Sequence, residues 1–451
     1  MTSTALLTDM YELTMIRAAL HAGKAFRRTT FELFGRRLPQ GRSYGVVAGT
    51  GRALDAIEHF RFDKAQIDFL RERDIADDLL GQWLGDYRFQ GDMVGYPEGE
   101  LYFSGSPVAQ VSGSFAECVL LETVLLSIYN HDSAVASAAS RMTLAAEGRP
   151  IIEMGARRTH EIAATAASRA AWIAGFASTS DLAAAQQWGI PASGTAAHAF
   201  TMLFDREEDA FEAQLEVLGP QTTLLVDTYD VTQAIQAAVR LTRGKLGAIR
   251  IDSGDLSVEV ARVRQLLDSL GATDTRIIVS SDLDEYQIAA LRGAPVDGFG
   301  VGTSVVTGSG HPTCGFVYKL VARATSDDID APQAPVAKLS SNKVTIGGHK
   351  FAVRQQDEAG VAQAEIVGVG RQPRPDLTGR SLLVDLVRAG QIVGREELSA
   401  ARERHAAARA ELPLRAQRIS RAEPAIPTVI LDEAGEVAEN VYLAGPAPTN
   451  V

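Results

Sequence analysis

IIEMGARR (151–158), LLVDTYD (224–230), AIRIDSGD (248–255), RIIVSSD (276–282) and VDGFGVGTS (296–304) follow one template. Each is a short apolar run that closes on charged, small or glycine residues. Between them lie stretches of helical pattern, expected near 159–170, 181–188, 206–217, 231–240, 256–270 and 284–292. Runs of this kind read as buried parallel strands joined by right-handed crossovers. The alternation predicts a β/α barrel, a fold in which the strand C-termini build the active site. The residues collected at those ends are Arg157, Asp227, Arg250, Asp252, Asp255, Asp282 and a glycine-rich turn. Such a set suits a phosphorylated sugar.

The flanks have a different grammar. Residues 1–22 read as a helix with Thr8 as N-cap and Gly23 as its stop. RTTFELF (28–34) alternates like a strand, and 53–75 and 77–84 look helical. Glycine, proline and alternating apolar residues over 86–112 suggest an antiparallel hairpin, followed by a helix from about 115 to 147. The strand–helix alternation is expected to last to about 340. After it, KVTIGGHKFAVRQQ (343–356) turns β-like, 395–412 turns helical, and GPAPTNV (445–451) reads as a frayed tail. The expected class is therefore α/β, an irregular β/α barrel over 116–341 beside a discontinuous α+β domain. Residues 1–115 and 342–451 would build that domain together.

The bulk numbers exclude several functions. A chain of 451 residues with 46% hydrophobic and 22% charged content is an ordinary globular composition. A formal charge of -12 argues against nonspecific binding to nucleic acid or to an anionic membrane. Cys118 and Cys314 make neither a disulfide framework nor a zinc site, so buried thiols are expected. Asp9 and Glu12 interrupt the first apolar run, no basic leader precedes it, and no apolar stretch is long enough to span a bilayer. A reducing, cytoplasmic location is expected.

Four motifs carry chemistry. In IRIDSGDL (249–256), Arg250 and Asp252 stand two apart on a strand and share a face, with Ser253 and Gly254 in a turn and Asp255 at the next helix. Carboxylates there suit ribose hydroxyls or magnesium pyrophosphate, or else cap the helix and pair with Arg250. VDGFGVGTSVVTG (296–308) holds Gly298, Gly300, Gly302 and Thr303, which lets backbone N–H groups approach a phosphate or makes a tight turn of positive φ. His198, among Thr195 and alanines, is an uncrowded acid–base group or nucleophile, or a structural histidine. Arg157 and Arg158 follow a strand, so one can enter the barrel mouth to clamp an anion, or both can be solvated. No second His or Cys stands at zinc-ligand spacing.

Taken in order, LTDMYELTM (7–15), FELFGRRLPQGRSYGVVAG (31–49), EMGARR (153–158), GFASTSD (175–181), SGTAAHAF (193–200), IRIDSGDL (249–256), SSDLDE (280–285) and GFGVGTS (298–304) make a pattern. That pattern resembles the nicotinate phosphoribosyltransferases, type II phosphoribosyltransferases of NAD salvage. The resemblance implies a homodimer that joins nicotinate to 5-phosphoribosyl 1-pyrophosphate, with magnesium and coupled ATP hydrolysis. By motif it makes His198 a residue transiently phosphorylated by ATP. It carries Tyr11 into the partner's site to stack on the pyridine ring, and sets Arg157 and Arg250 on the carboxylate and phosphates. Thr195 would line the base pocket, and Ser253, Gly254 and Asp255 would complete the substrate turn. Asp252 and Asp282 would hold ribose and magnesium pyrophosphate, while Gly300, Gly302 and Thr303 would cradle the 5′-phosphate.

Two places depart from the family pattern. Asp181 stands where Asn is usual, and relatives that take nicotinamide carry an acidic residue opposite Ser180. One residue of offset aims the side chain elsewhere, so nicotinate is the expected base. YNHDSAVASAAS (129–140) is less apolar than in the family and carries no functional claim. The alternatives are a nicotinamide or quinolinate phosphoribosyltransferase, a barrel lyase with Lys338 as Schiff-base lysine, or a non-catalytic binding protein.

Overall fold

The computed structural model describes residues 3–328, 330–338, 346–373 and 378–438. The expected frayed tail and the start of the 343–356 stretch lie outside them. The chain divides into two compact units, Met1–Ala134 with Thr313–Val451, and Val135–Pro312.

The second unit contains the repeated runs. Its parallel sheet has the order Ser178–Thr179, Ile151–Glu153, Gly298–Val301, Arg276–Ser281, Ala248–Ile251, Thr223–Leu225. Helices Glu161–Ile173, Leu182–Trp188, Glu207–Leu218, Val231–Thr242, Leu256–Ser269 and Glu285–Ala290 connect the strands, close to the expected spans. Ile249, Ile251, Val279 and Phe299 are at most 1% exposed, as a doubly covered parallel sheet requires. Four of these six helix starts share one device. Asp181, Asp230, Asp255 and Asp284 each accept backbone N–H groups of the first turn, an arrangement worth about 1 kcal/mol per cap.

The sheet is a curled half-barrel, and the expected irregular β/α barrel holds to that extent. Among the described residues no ladder joins Thr223–Leu225 to Ser178–Thr179, and the sheet continues past Thr179 only through a parallel bridge to Ala192. Those edge strands are among the shortest in the unit, and the chain from 189 to 197 runs as loop where further ladder would be needed.

The first unit is built on antiparallel pairing. Arg28–Gly35 lies between Phe316–Ala324 and Pro107–Ser114 in a seven-stranded sheet. The change of grammar expected near 342 therefore comes earlier. Phe316–Ala324 pairs with Arg28–Gly35 (Leu33 opposite Tyr318) and is no part of the parallel sheet. A second sheet contains Gly379–Ser381, Lys350–Gln356, Ala362–Val369 and Thr428–Leu431. Arg354, fully buried there, donates to Glu365 Oε2 at 2.9 Å and to the Leu101 carbonyl. Thr8 does not cap the helix Met10–His21; its hydroxyl donates to the buried Glu12, and Asp9 takes the N-cap position. Both cysteines are buried, and burial pushes the Cys314 thiol up to about 12. Among the described residues no helix is long and apolar enough to cross a membrane.

Candidate active site

At the C-terminal edge of the parallel sheet is a cavity of about 660 Å³. Arg157, Thr195, His198, Arg250, Asp252, Asp282, Gly300, Gly302 and Thr303 all line it, from segments as far apart as 157 and 303. A larger cleft of about 750 Å³ lies on the other unit, around Arg28, Gln110 and His349, and contains none of these residues.

Strand alternation explains the placing of Arg250. Ile249 and Ile251 turn into the core, so Arg250 and Asp252 face the cavity. Arg250 Nη1 donates to Thr195 Oγ1 at 2.5 Å, while its Nε is buried without a partner. Burial pulls the guanidinium below its usual pKa. The carboxylates of Asp252 and Asp227 oppose that effect, and the like charge of Arg157 adds to it. Two nearby cations and an unused donor make a place for an anion. Arg157 and Arg158 both line the cavity, so this strand end brings two guanidinium-bearing residues to it.

Asp227 is the hub of the acidic side. Its Oδ2 accepts from Asp252 N at 2.8 Å and from Ser253 Oγ at 2.7 Å. Its Oδ1 is buried without a hydrogen bond and lies 3.9 Å from His198 Nε2. His198 Nδ1 meets Thr228 Oγ1 at 3.0 Å, and the ring is 37% exposed, open to a reactant. Asp252 Oδ1 accepts from Ser280 Oγ at 2.6 Å. Among the described residues no group of three or more His, Cys, Asp or Glu converges as a metal site.

The glycine turn works by close approach. Gly298, Gly300 and Gly302 all have negative φ, so the positive-φ reading does not apply. A Cβ on Gly300 would lie 2.7 Å from Met154 Sδ, and one on Gly302 would lie 3.2 Å from the Met154 carbonyl oxygen. A larger residue at either position would push Met154 aside, so the glycines keep these two segments close.

Several expected residues, Asp227 among them, do not line the cavity. Asp255 caps the helix Leu256–Ser269 through Ser257 N and Val258 N, which is the capping reading. Ser253 holds Asp227, and Gly254 makes the turn at φ +88°. Tyr11 is 44% exposed on Met10–His21 in the first unit, where its phenol faces Glu122. Asp181 caps Leu182–Trp188 through Ala183 N and Ala184 N, while Ser180 beside it lines the cavity. Ser280 and Thr228 were not assigned from sequence. Ser280 was within reach, because it stands two residues before Asp282. Thr228 gave no signal.

The family model described as the nicotinate phosphoribosyltransferase (NAPRTase) N-terminal domain matches residues 6–130. Nicotinate phosphoribosyltransferase pncB1 of Mycobacterium tuberculosis is 56% identical over 432 residues, 94% of each chain. The nicotinate phosphoribosyltransferase of Bacillus subtilis is 37% identical over 364 residues, 78% of this chain and 73% of that one. The crystal structure of human nicotinic acid phosphoribosyltransferase superposes with a TM-score of 0.81 at 25% identity, covering 95% of this chain and 98% of that one. Identity of this extent, over nearly the full length of both chains, makes this protein a member of the nicotinate phosphoribosyltransferase family.

Proposed function

We propose that the chain joins nicotinate to the ribosyl carbon of 5-phosphoribosyl 1-pyrophosphate, giving nicotinate mononucleotide and pyrophosphate with coupled ATP hydrolysis. The observation that carries this is the grouping of Arg157 and Arg250 with Asp252 and Asp282 around one cavity. Its volume, about 660 Å³, is of the size that encloses a small ligand.

In this reading Arg157 and Arg250 take the base carboxylate and substrate phosphates by bidentate contacts. Thr195, fixed by Arg250, lines the base pocket. Asp252, held by Ser280, and Asp282 accept ribose hydroxyls and face the magnesium that arrives with pyrophosphate. That ion neutralises charge on the leaving group. Backbone N–H groups of Gly300, Gly302 and Thr303 take the 5′-phosphate, while Ser253, Gly254 and Asp255 shape the adjoining turn. In a homodimer, Tyr11 stacks on the pyridine ring in the partner's site. The ribosyl centre is oxocarbenium-like, and the pyridine nitrogen attacks opposite the departing pyrophosphate. Positioning and electrostatics supply most of the rate.

ATP phosphorylates His198, adding charge and acceptors beside the magnesium pyrophosphate, which gives the enzyme its ligase-type coupling. Buried free thiols suit the cytoplasm. The nicotinamide alternative loses its main support, since Asp181 spends its carboxylate on a helix cap. Lys338, the lysine of the lyase alternative, is exposed and does not line the cavity.

Equilibrium binding tests the base. Nicotinate mononucleotide should bind at least about tenfold more tightly than nicotinamide mononucleotide, a difference of about 1.4 kcal/mol. Equal affinities would refute the acid reading.

A further inference from the structure

Glu285 does not line the cavity, yet it joins two segments that do. It opens the helix Glu285–Ala290, three residues after Asp282, and its side chain is 2% exposed. Its Oε1 takes Arg141 Nε at 3.1 Å, a buried pair with the guanidinium 5.8 Å over the Tyr286 ring. Its Oε2 accepts from Ser309 Oγ at 2.6 Å. Ser309 lies in the turn that follows the short helix Thr303–Val306, whose first residue lines the cavity, and its own N–H returns to the Ser304 carbonyl at 2.7 Å.

Two local preferences are broken together here. Ser309 has φ +50°, a left-handed conformation in which glycine would be unstrained. Glu285 is a buried carboxylate whose pairing with Arg141 is, by itself, a weak source of stability. Strain and buried charge meeting in one hydrogen bond, next to two segments that line the cavity, mark a place where geometry is held at some cost to stability. The shared hydrogen bond is what the two departures have in common.

We infer that Glu285 is a positioning residue, a strap that ties the Asp282 turn to the Gly302–Ser309 turn. The strap sets the carboxylate and the backbone N–H groups in fixed register before a phosphoribosyl ligand arrives. Pre-ordered groups lose less freedom on binding, so the benefit is read in affinity. The inference rests on the phosphoribosyl reading given above.

The test uses Ser309→Gly, Ser309→Ala, Glu285→Gln and Glu285→Ala in the full chain. Three quantities are measured: melting temperature, affinity for ribose 5-phosphate by calorimetry, and amide hydrogen exchange over residues 302–309. Ser309→Gly should melt above Ser309→Ala, because both lose the bond to buried Glu285 but only glycine relieves the left-handed residue. It should nevertheless bind ribose 5-phosphate about tenfold more weakly, the scale of one lost charge-assisted hydrogen bond, and exchange faster over 302–309. Ser309→Ala should weaken binding to the same degree. Glu285→Gln, which still offers Ser309 an acceptor, should lose less affinity than Glu285→Ala.

Wild-type affinity and exchange in both Ser309 variants would overturn the strap. So would weakening in the glycine variant alone, which would point to chain flexibility. If the wild type itself fails to bind ribose 5-phosphate, the phosphoribosyl reading falls. The exchange comparison then still decides whether Glu285 orders the turn.

Discussion

His198 Nε2 lies 3.9 Å from Oδ1 of Asp227, a buried oxygen that has no hydrogen bond of its own. The other oxygen of the same carboxylate holds Asp252 N and Ser253 Oγ. One side chain thus couples the histidine proposed to accept phosphate to the turn proposed to hold ribose. Replacing His198 with Ala should abolish stimulation by ATP and leave a slow ATP-independent reaction. Asp227→Asn should reduce the stimulation by about tenfold, within the range of a lost orienting or acid–base group. Initial rates with and without ATP measure both, and full stimulation in either variant would refute the coupling.

Glu207 gives a pH prediction. Burial pushes its carboxyl from 4.5 up to about 7, with the charges of Asp230 and Asp227 adding to the effect. A carboxyl raised in the folded state favours folding below its unfolded pKa, and that contribution is lost as pH rises through about 7. Glu207→Gln removes the charging cost. Its melting temperature should match the wild type near pH 5 and exceed it increasingly toward pH 8. A difference independent of pH would contradict the assignment.

Arg250 tests the anion site. Lys cannot reproduce a guanidinium that both donates to Thr195 and keeps its Nε for a ligand. Arg250→Lys should lower kcat/KM by about 100-fold, roughly 2.7 kcal/mol of transition-state binding. Thr195→Val should cost less, about tenfold. Arg158→Ala should raise KM for an anionic substrate with kcat little changed, because both arginines of EMGARR line the cavity. Steady-state kinetics separates the three.

Asp181 and Ser180 make a contrasting pair. Asp181→Asn keeps a capping side chain and should leave base preference unchanged, whereas Asp181→Ala should cost about 1 kcal/mol of stability. Ser180→Asp puts a negative charge on the cavity wall and should lower use of nicotinate relative to nicotinamide. Product ratios from mixed bases check both variants. A change of preference in Asp181→Asn would show that the cap is not its role.

Much of this unit was legible because its signals are local. Five of the six parallel strands are apolar runs closed by Asp, Ser or Gly, and Asp181, Asp230, Asp255 and Asp284 announce four of the helix starts, so those spans could be read within a few residues. The cavity was legible for the same reason, since strand ends meet at one edge of a parallel sheet. What stayed hidden was non-local or ambiguous in kind. Phe316–Ala324 reads as a strand, but nothing within it says that its partner is Arg28–Gly35. Asp252 and Asp255 are chemically alike and three residues apart, yet one faces the cavity and the other caps a helix. The nearness of His198 to Asp227 and Thr228, some thirty positions away, follows from packing alone.

The central claim is tested most directly by product formation. The purified protein is given magnesium 5-phosphoribosyl 1-pyrophosphate and ATP with equal concentrations of nicotinate and nicotinamide, and both mononucleotides and ADP are quantified. The account predicts nicotinate mononucleotide in large excess, accompanied by ADP. Product from nicotinamide alone, or no mononucleotide from either base, would contradict it.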